Sequence, residues 1–293
     1  MRPFPFSRPR AFAPTPLLLA GALWLALGGA PRLAAFPPSP HYTIYGVLRD
    51  QVGNTLQVDS AVIVLLLDGA EIARAPISNA LRADWNYELR ISIDQNRAST
   101  RRYSPSAVPA LGLYSLAVDL QGQRYYPIEA SGTLRAGQGG ERILLDLNLG
   151  VDSDRDGLPD AWEEWQLYQA GAYPGSPGWS LARIDRDGDF DGDGVSNFVE
   201  YVAGTFAGDA TERFDLKLVS LEGSDAAFEF FAITGKVYKI ESSTDLQTWT
   251  ELPFSLARGG PSIRSHRASE VAVQPVYASV PSGARRFFRL SVR

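Results

Sequence analysis

The sequence predicts a mainly β protein in which two β-sandwich-like domains are joined by a small helical module. Residues 36–150 and 212–293 hold short apolar or alternating segments of strand length, separated by turn-forming residues. Residues 151–211 instead carry apolar side chains at helical spacing. We therefore expect the order β-domain, helical module, smaller β-domain.

The first β-domain is predicted from five strand-like segments and two turn signals. The segments are 42–49, 61–67, 87–93, 113–120 and 143–149. Asp68-Gly69 and Gln121-Gly122 lie where hairpin turns are expected. Five or more short strands at this spacing are typical of a β-sandwich. Residues 96–109, which include three arginines, predict a long exposed loop.

The second β-domain is predicted from another five segments after residue 212. These are 214–219, 228–231, 237–242, 248–252 and 286–292. Ser243–Trp249 lies between two of them and predicts an ordinary hairpin connection.

Between the two β-domains, a twelve-residue acidic pattern occurs twice, as DSDRDGLPDAWE from Asp152 and DFDGDGVSNFVE from Asp189. A cation of calcium's size takes six to eight oxygens. A single loop supplies them from side chains at positions 1, 3, 5 and 9, a carbonyl at 7 and a bidentate carboxylate at 12, with glycine at 6. The predicted ligands of the two loops are Asp152, Asp154, Asp156, Leu158, Asp160 and Glu163, and then Asp189, Asp191, Asp193, Val195, Asn197 and Glu200. The sequence therefore predicts bound Ca²⁺.

The alternative interpretation of an acidic stretch is a solvated, disordered linker. Against it, each acidic pattern runs into apolar residues at helical spacing, which a linker does not need. These residues are Leu158, Trp162, Trp165 and Tyr168 in the first copy, and Val195, Phe198, Val199 and Val202 in the second. We expect two short amphipathic helices that end at Gly171 and Gly204. Because a strand, not a helix, precedes the first loop, a sensor that opens by swinging two helices apart is disfavoured.

The acidity of the chain is concentrated in this module. The whole chain has a net charge of -5, whereas residues 151–200 have a net charge of -9 and the remainder +4. This distribution argues against a nucleic-acid partner and for a cation. Asp185 and Asp187 continue the alternation ahead of the second loop. They could hold a further ion or neutralise Arg183 and Arg186, and the sequence does not decide between these roles.

The N-terminus, residues 1–35, predicts a secretory signal peptide. Basic residues precede an apolar run from Leu17 to Leu27, and the small pair Ala34-Ala35 follows. Since the apolar run is far shorter than the roughly twenty residues that a bilayer requires, we expect no membrane span in the mature chain. The predicted location is the medium, the cell surface or the periplasm. The chain has no cysteine, which excludes disulfides and thiolate chemistry.

The two acidic patterns resemble the thrombospondin type-3-like calcium repeats of secreted bacterial proteins, which share EF-hand-like loop chemistry with dockerin modules. The stretch Tyr238–Trp249, together with Arg286–Leu290, is similar to C-terminal β-modules of such multi-module proteins. The resemblance implies calcium binding and an extracytoplasmic setting, and it implies no substrate. Glu163 and Glu200 stand where dockerins usually carry aspartate.

These observations lead us to expect an exported, non-enzymatic calcium-binding protein with an adhesive or structural role. Its calcium module, residues 151–211, would stiffen the link between the β-domains, and its partner would be a surface polysaccharide or another surface protein. A second possibility is a carbohydrate-binding module that stacks sugars on exposed aromatics, for which the candidates are Trp85, Tyr125, Tyr126 and Trp249. A third is a dockerin-like docking protein.

A hydrolase is the remaining class. His41 and His266 are the two histidines of the chain, and the sequence lacks a GxSxG elbow, an HExxH motif and a P-loop. A pair of distant carboxylates for glycoside cleavage would leave no local signature. We therefore predict no catalytic residue.

Overall fold

The computed structural model describes residues 40–57, 60–78, 84–94, 104–280 and 285–293. The predicted signal peptide lies outside the described residues. The described chain is mainly β with several sheets, which confirms the predicted class. No helix in the described ranges is both long and apolar enough to cross a bilayer.

The described residues of the first β region form eleven strands. They are β1 (Tyr42–Gly46), β2 (Leu48–Arg49), β3 (Val62–Leu67), β4 (Ala70–Pro76), β5 (Tyr87–Asp94), β6 (Ala107–Pro109), β7 (Leu113–Leu120), β8 (Gln123–Tyr125), β9 (Leu134–Arg135), β10 (Arg142–Leu144) and β11 (Leu147–Asn148). One sheet has the order β10-β1-β5-β6 and another the order β4-β3-β7-β8, with β9 also paired to β7. Strand β2 pairs with β11.

Alternation in the sequence explains why these two sheets share one hydrophobic core. Strand β5 alternates buried and exposed residues along its length, as expected for a strand with one face turned inward. Ile44 and Leu89 from the first sheet cluster with Leu65 and Leu116 from the second. Both predicted hairpin turns are confirmed. Asp68-Gly69 and Gln121-Gly122 have positive φ at both positions, the conformation that tight two-residue turns require.

Three predictions for this region were wrong in detail. The predicted strand 42–49 is divided at Val47 into β1 and β2. Part of the predicted 96–109 loop is strand β6, whose Ala107 and Val108 are buried because they pair beside β5; residues 96–103 lie outside the described ranges. The predicted strand 143–149 is broken into β10 and β11. Asp146 lies between them, and its side chain accepts hydrogen bonds from Val47 N–H and Arg293.

Seven strands are formed by the described part of the second β region. They are β12 (Lys217–Glu222), β13 (Asp225–Ala232), β14 (Val237–Ser243), β15 (Thr250–Glu251), β16 (His266–Arg267), β17 (Ala272–Ser279) and β18 (Phe287–Val292). They form sheets β12-β13-β17 and β15-β14-β16, and β18 also pairs with β14. Aromatic side chains of β13 and β14 fill a second core. The β14–β15 connection is the predicted hairpin. Strand β17 was not predicted, because Pro275 and Gln274 interrupt its apolar pattern.

The segment between these regions contains two helices, α1 (Asp160–Gln169) and α2 (Asn197–Ala203), and a 3₁₀ turn at Leu181–Arg183. Each helix begins at position 9 of one acidic pattern and continues beyond its end, so both predicted helices are present. Helix α2 ends at Gly204, whose φ of 85° lies in the left-handed region that favours glycine at this position. Leu158, Trp162, Ile184 and Tyr201 pack into a third hydrophobic core.

Candidate metal centre

The two acidic patterns fold into loops with the same internal hydrogen bonds. In the first loop, Asp152 at position 1 accepts from the N–H groups of positions 4 and 6. In the second, Asp189 accepts from the same positions, at 2.8 and 2.9 Å. The glycine at position 6 has a φ of 96° in both loops, which explains why glycine is required there.

The aspartates at positions 1, 3 and 5 come together in each loop. One oxygen from each of Asp152, Asp154 and Asp156 lies within 4.8 Å of the others, and Asp189, Asp191 and Asp193 form an equivalent group. The Nε of Arg213 lies 3.6 Å from the Oδ2 of Asp193. These three predicted ligands of each loop are therefore brought to one place.

The position-12 glutamates point to an ion more specifically. Glu163 is 0% exposed, and neither of its carboxylate oxygens has a hydrogen-bond partner. Burial, followed by the charges of Asp154, Asp156, Asp160 and Asp152, raises the pKa of Glu163 to about 9. A buried carboxylate facing four other carboxylates is costly unless a cation compensates it.

The second loop repeats this arrangement. Glu200 is 1% exposed, and its Oε2 has no hydrogen-bond partner. Burial and then the charges of Asp191, Asp193 and Asp189 raise the pKa of Glu200 to about 8. Both loops thus place a buried glutamate in the electrostatic field of their own aspartate group.

Positions 7 and 9 support the loop backbone. The N–H groups of Leu158 and Val195, at position 7, donate to the position-5 aspartates at 2.7 Å, and their carbonyls are the predicted ligands. At position 9, Asp160 Oδ1 accepts from Ser153 N–H, and Asn197 Oδ1 accepts from Phe190 N–H. The position-9 side chains therefore hold the loop's second residue.

The donor set fits a hard cation. The predicted ligands offer carboxylate, amide and carbonyl oxygens, with no nitrogen or sulfur donor among them. Such sets suit calcium or magnesium, and calcium tolerates the larger, less regular shell that a wrapped loop provides.

Helix α1 buries a different face from the one its apolar residues predicted. Trp162, Glu163, Gln166 and Leu167 are buried, whereas Trp165 and Tyr168 are 42% and 63% exposed. The inward side of the helix is the side that carries Glu163. In α2, Tyr201 is fully buried and Val202 is buried, while Phe198 and Val199 are half-buried.

The structure also places residues that the sequence reasoning missed or left open. Arg155, at position 4 of the first loop, has a φ of 66°, whereas the equivalent residue of the second loop is Gly192. This difference at position 4 could have been noticed in the sequence. Asp185 and Asp187 join neither group of three acidic residues found among the described residues.

The candidate sugar-stacking aromatics are spread over both β regions. Tyr125 and Tyr126 are exposed. Trp85 packs edge-on against Tyr45, and the half-buried Trp249 lies under Arg289. The two histidines belong to different β regions, since His266 is on β16 and His41 precedes β1. Burial lowers the pKa of His266.

Residues next to the loops contact both β regions. Tyr201, directly after Glu200, donates its hydroxyl to the carbonyl of Asp50 at 3.0 Å. Tyr201 also packs edge-on against Trp162, directly before Glu163. On the other side, Lys236 donates to the carbonyl of Gly53 at 2.6 Å and is 2% exposed. The loop of residues 50–54 therefore lies between α2 and the second β region.

No protein-family model matches this chain, and no curated protein or solved structure matches it.

Proposed function

We propose that this protein is an exported, non-enzymatic calcium-binding protein whose two loops each hold one Ca²⁺ ion. The observation that carries the proposal is Glu163, a fully buried carboxylate that closes the same twelve-residue pattern as the loop aspartates and whose two oxygens are unpartnered. Glu200 repeats it. A divalent cation at each loop would supply the missing partner for these oxygens and neutralise the clustered charge.

We further propose that calcium stiffens the join between the two β regions. Fixing Glu200 fixes the adjacent Tyr201, whose hydroxyl is bonded to Asp50 and, at 3.3 Å, to Asn148 Oδ1. Fixing Glu163 likewise fixes Trp162 against Tyr201. The predicted ligands Glu163 and Glu200 are thus adjacent in the chain to Trp162 and Tyr201, the residues that make these contacts. We propose that this structural role is exerted at a surface, with a polysaccharide or another surface protein as the partner class.

The decisive experiment is calcium titration of the full chain by calorimetry. We expect two ions per chain, with dissociation constants on the order of 10⁻⁴ to 10⁻³ M, the range of extracellular modules. Magnesium in place of calcium is the matched control and should bind more weakly, because its smaller shell demands stricter octahedral geometry. A chain that takes up no calcium at millimolar concentration would refute the proposal.

A further inference from the structure

Four residues between the loops, 185–188, are hydrogen-bonded to the first loop. We call them the bridging segment. The N–H of Arg186 donates to Asp156 Oδ2 at 2.8 Å, and its guanidinium Nη1 donates to the carbonyl of Gly157 at 3.3 Å. The fit is close, because a Cβ at Gly157 would lie 2.6 Å from that same Nη1. The bridging segment therefore holds positions 5 and 6 of the first loop.

The same segment is hydrogen-bonded to the second loop. Asn197, at position 9, donates its side-chain amide to the carbonyl of Asp185 at 2.6 Å and its backbone N–H to the carbonyl of Gly188 at 2.8 Å. Phe198 N–H donates to the carbonyl of Arg186 at 3.0 Å, and the Arg186 guanidinium lies 3.5 Å from the centroid of the Phe198 ring. The bridging segment therefore also holds the end of the second loop and the start of α2.

One ordered segment thus supports a ligand-bearing residue of each loop, Asp156 in the first and Asn197 in the second. An ion that fixes Asp156 orders Arg186, and Arg186 is already bonded to Phe198. The second ion then binds a loop whose end has already been ordered, so its binding causes a smaller loss of conformational entropy. Such a coupling acts equally in both directions.

We infer that the two loops bind calcium cooperatively and that Arg186 is the positioning residue that couples them. This inference rests on the proposed calcium binding and adds its regulation. It concerns the affinity of one site as a function of the occupancy of the other.

The test compares the affinity of each site with its neighbour filled and empty. In Glu163→Gln the first site is disabled, and in Glu200→Gln the second is. In each variant, we expect the remaining site to bind Ca²⁺ at least about fivefold more weakly than the second Ca²⁺ ion binds the wild-type chain. This ratio of dissociation constants is the coupling factor, and it should be the same in both variants. In an Arg186→Ala background, the factor should fall to within about twofold of unity, the limit for independent sites.

Arg183→Ala is the matched control. Arg183 also lies over an aromatic ring, that of Phe190, but its guanidinium donates to Gly178 and not to the first loop. The coupling factor should survive this substitution. Arg186→Lys, which keeps the positive charge, provides a second variant, and we expect it to retain part of the coupling.

Two results would overturn the inference. One is that each ion binds with an affinity that does not depend on whether the neighbouring loop is occupied. The other is a coupling factor that is unchanged in Arg186→Ala, which would assign the coupling to the backbone hydrogen bonds of residue 186, which this variant keeps, and not to the Arg186 side chain. Failure of the proposed function has a different signature, because the wild-type chain would then bind no calcium.

Discussion

At the residue scale, the position-12 glutamates differ from the loop aspartates because they are buried. Asp154 and Asp189 are exposed, so water can solvate their charges, whereas Glu163 and Glu200 are shielded from water. A neutral amide at position 12 lacks both the charge and the bidentate geometry that closes a calcium shell.

We therefore predict that Glu163→Gln and Glu200→Gln each reduce the calorimetric stoichiometry from two ions to one at moderate calcium concentration. Asp160→Asn is the matched comparison. Its amide oxygen can still accept from Ser153 N–H, so the loop should keep its shape. We expect two ions in that variant, with affinity within about tenfold, or about 1.4 kcal/mol, of the wild type. Three isotherms identical to wild type would refute the ligand assignment.

Arg155 provides a residue-scale test of loop strain. Its φ of 66° is unfavourable for a residue with a Cβ, by about 1–2 kcal/mol. We predict that Arg155→Gly raises the free energy of unfolding by about 1 kcal/mol in saturating calcium, measured by urea denaturation. Gly192→Ala, at the equivalent position of the second loop, should lower it by a similar amount. The opposite pair of signs would contradict the strain argument.

At the element scale, α2 connects the second loop to the first β region. It is only seven residues long, which is too short for an isolated helix to be stable in water, so tertiary contacts must hold it. Its interior residue Tyr201 is the anchor. Gly53 packs closely on this residue, since a Cβ there would lie 2.4 Å from the Tyr201 carbonyl oxygen.

We predict that Tyr201→Phe lowers the free energy of unfolding by about 1 kcal/mol, because the ring remains packed while the hydroxyl bond to Asp50 is lost. Calcium stoichiometry should stay at two. Phe198→Leu is a suitable comparison, since it alters the same helix on its half-exposed side. If Tyr201→Phe were as stable as wild type, the hydroxyl would not anchor the helix.

At the scale of the whole molecule, the three largest hydrophobic cores of the described residues lie within one compact unit, Ser39–Arg293. Polar contacts join them. Arg293, at the end of the described chain, donates to Asp146 at 2.6 Å, and Lys239 lies 3.2 Å from Asp84. The central core is the smallest of the three and contains the acidic loops, so we expect it to depend most on a cation.

We predict that chelating calcium opens the segment between the two loops while both β regions stay folded. At ten times its dissociation constant, each ion stabilises the closed form by about 1.4 kcal/mol, or about 3 kcal/mol for two sites. Limited proteolysis should then cut between residues 171 and 190 after chelation, and small-angle scattering should show a broader distance distribution. Identical protease patterns and scattering curves with and without chelator would refute the stiffening role.

The buried Lys236 gives the junction a pH dependence. Burial, with a smaller contribution from Arg49, lowers the pKa of Lys236 to about 7, and the charge of Asp50 opposes that shift. Between pH 7 and the usual lysine pKa of about 10.4 the unfolded chain therefore binds more protons than the folded chain, so folding stability should rise with pH. Below pH 7 both states are protonated and the cost of burying the charge is fully present.

We predict that calcium-saturated wild-type protein gains stability against urea from pH 7 to pH 10 and that Lys236→Met removes most of this gain. Lys217→Met is the control, because Lys217 is exposed and paired with Glu229 at 2.6 Å. The gain should persist in that variant. A Lys236→Met curve that rises as steeply as wild type would show that Lys236 is not responsible.

Much of the local structure could be predicted from the sequence. The phase of the two acidic patterns predicted both loops and the helices that follow them, and dipeptides such as Asp68-Gly69 predicted hairpins, because these features depend on the conformations of a few neighbouring residues. Residues 143–149 were predicted as one continuous strand. The strand is broken around Asp146, whose side chain bonds to Arg293, a residue that is distant in the chain.

The sequence by itself therefore determined the mainly β class, the positions of the two acidic loops and the location of the acidic charge, since each follows from local periodicity. Only the tertiary structure decided which side of α1 is buried, that Lys236 reaches Gly53, and that Arg186 touches both loops. Contacts between residues far apart in the chain depend on how the elements pack, and no local pattern records that packing.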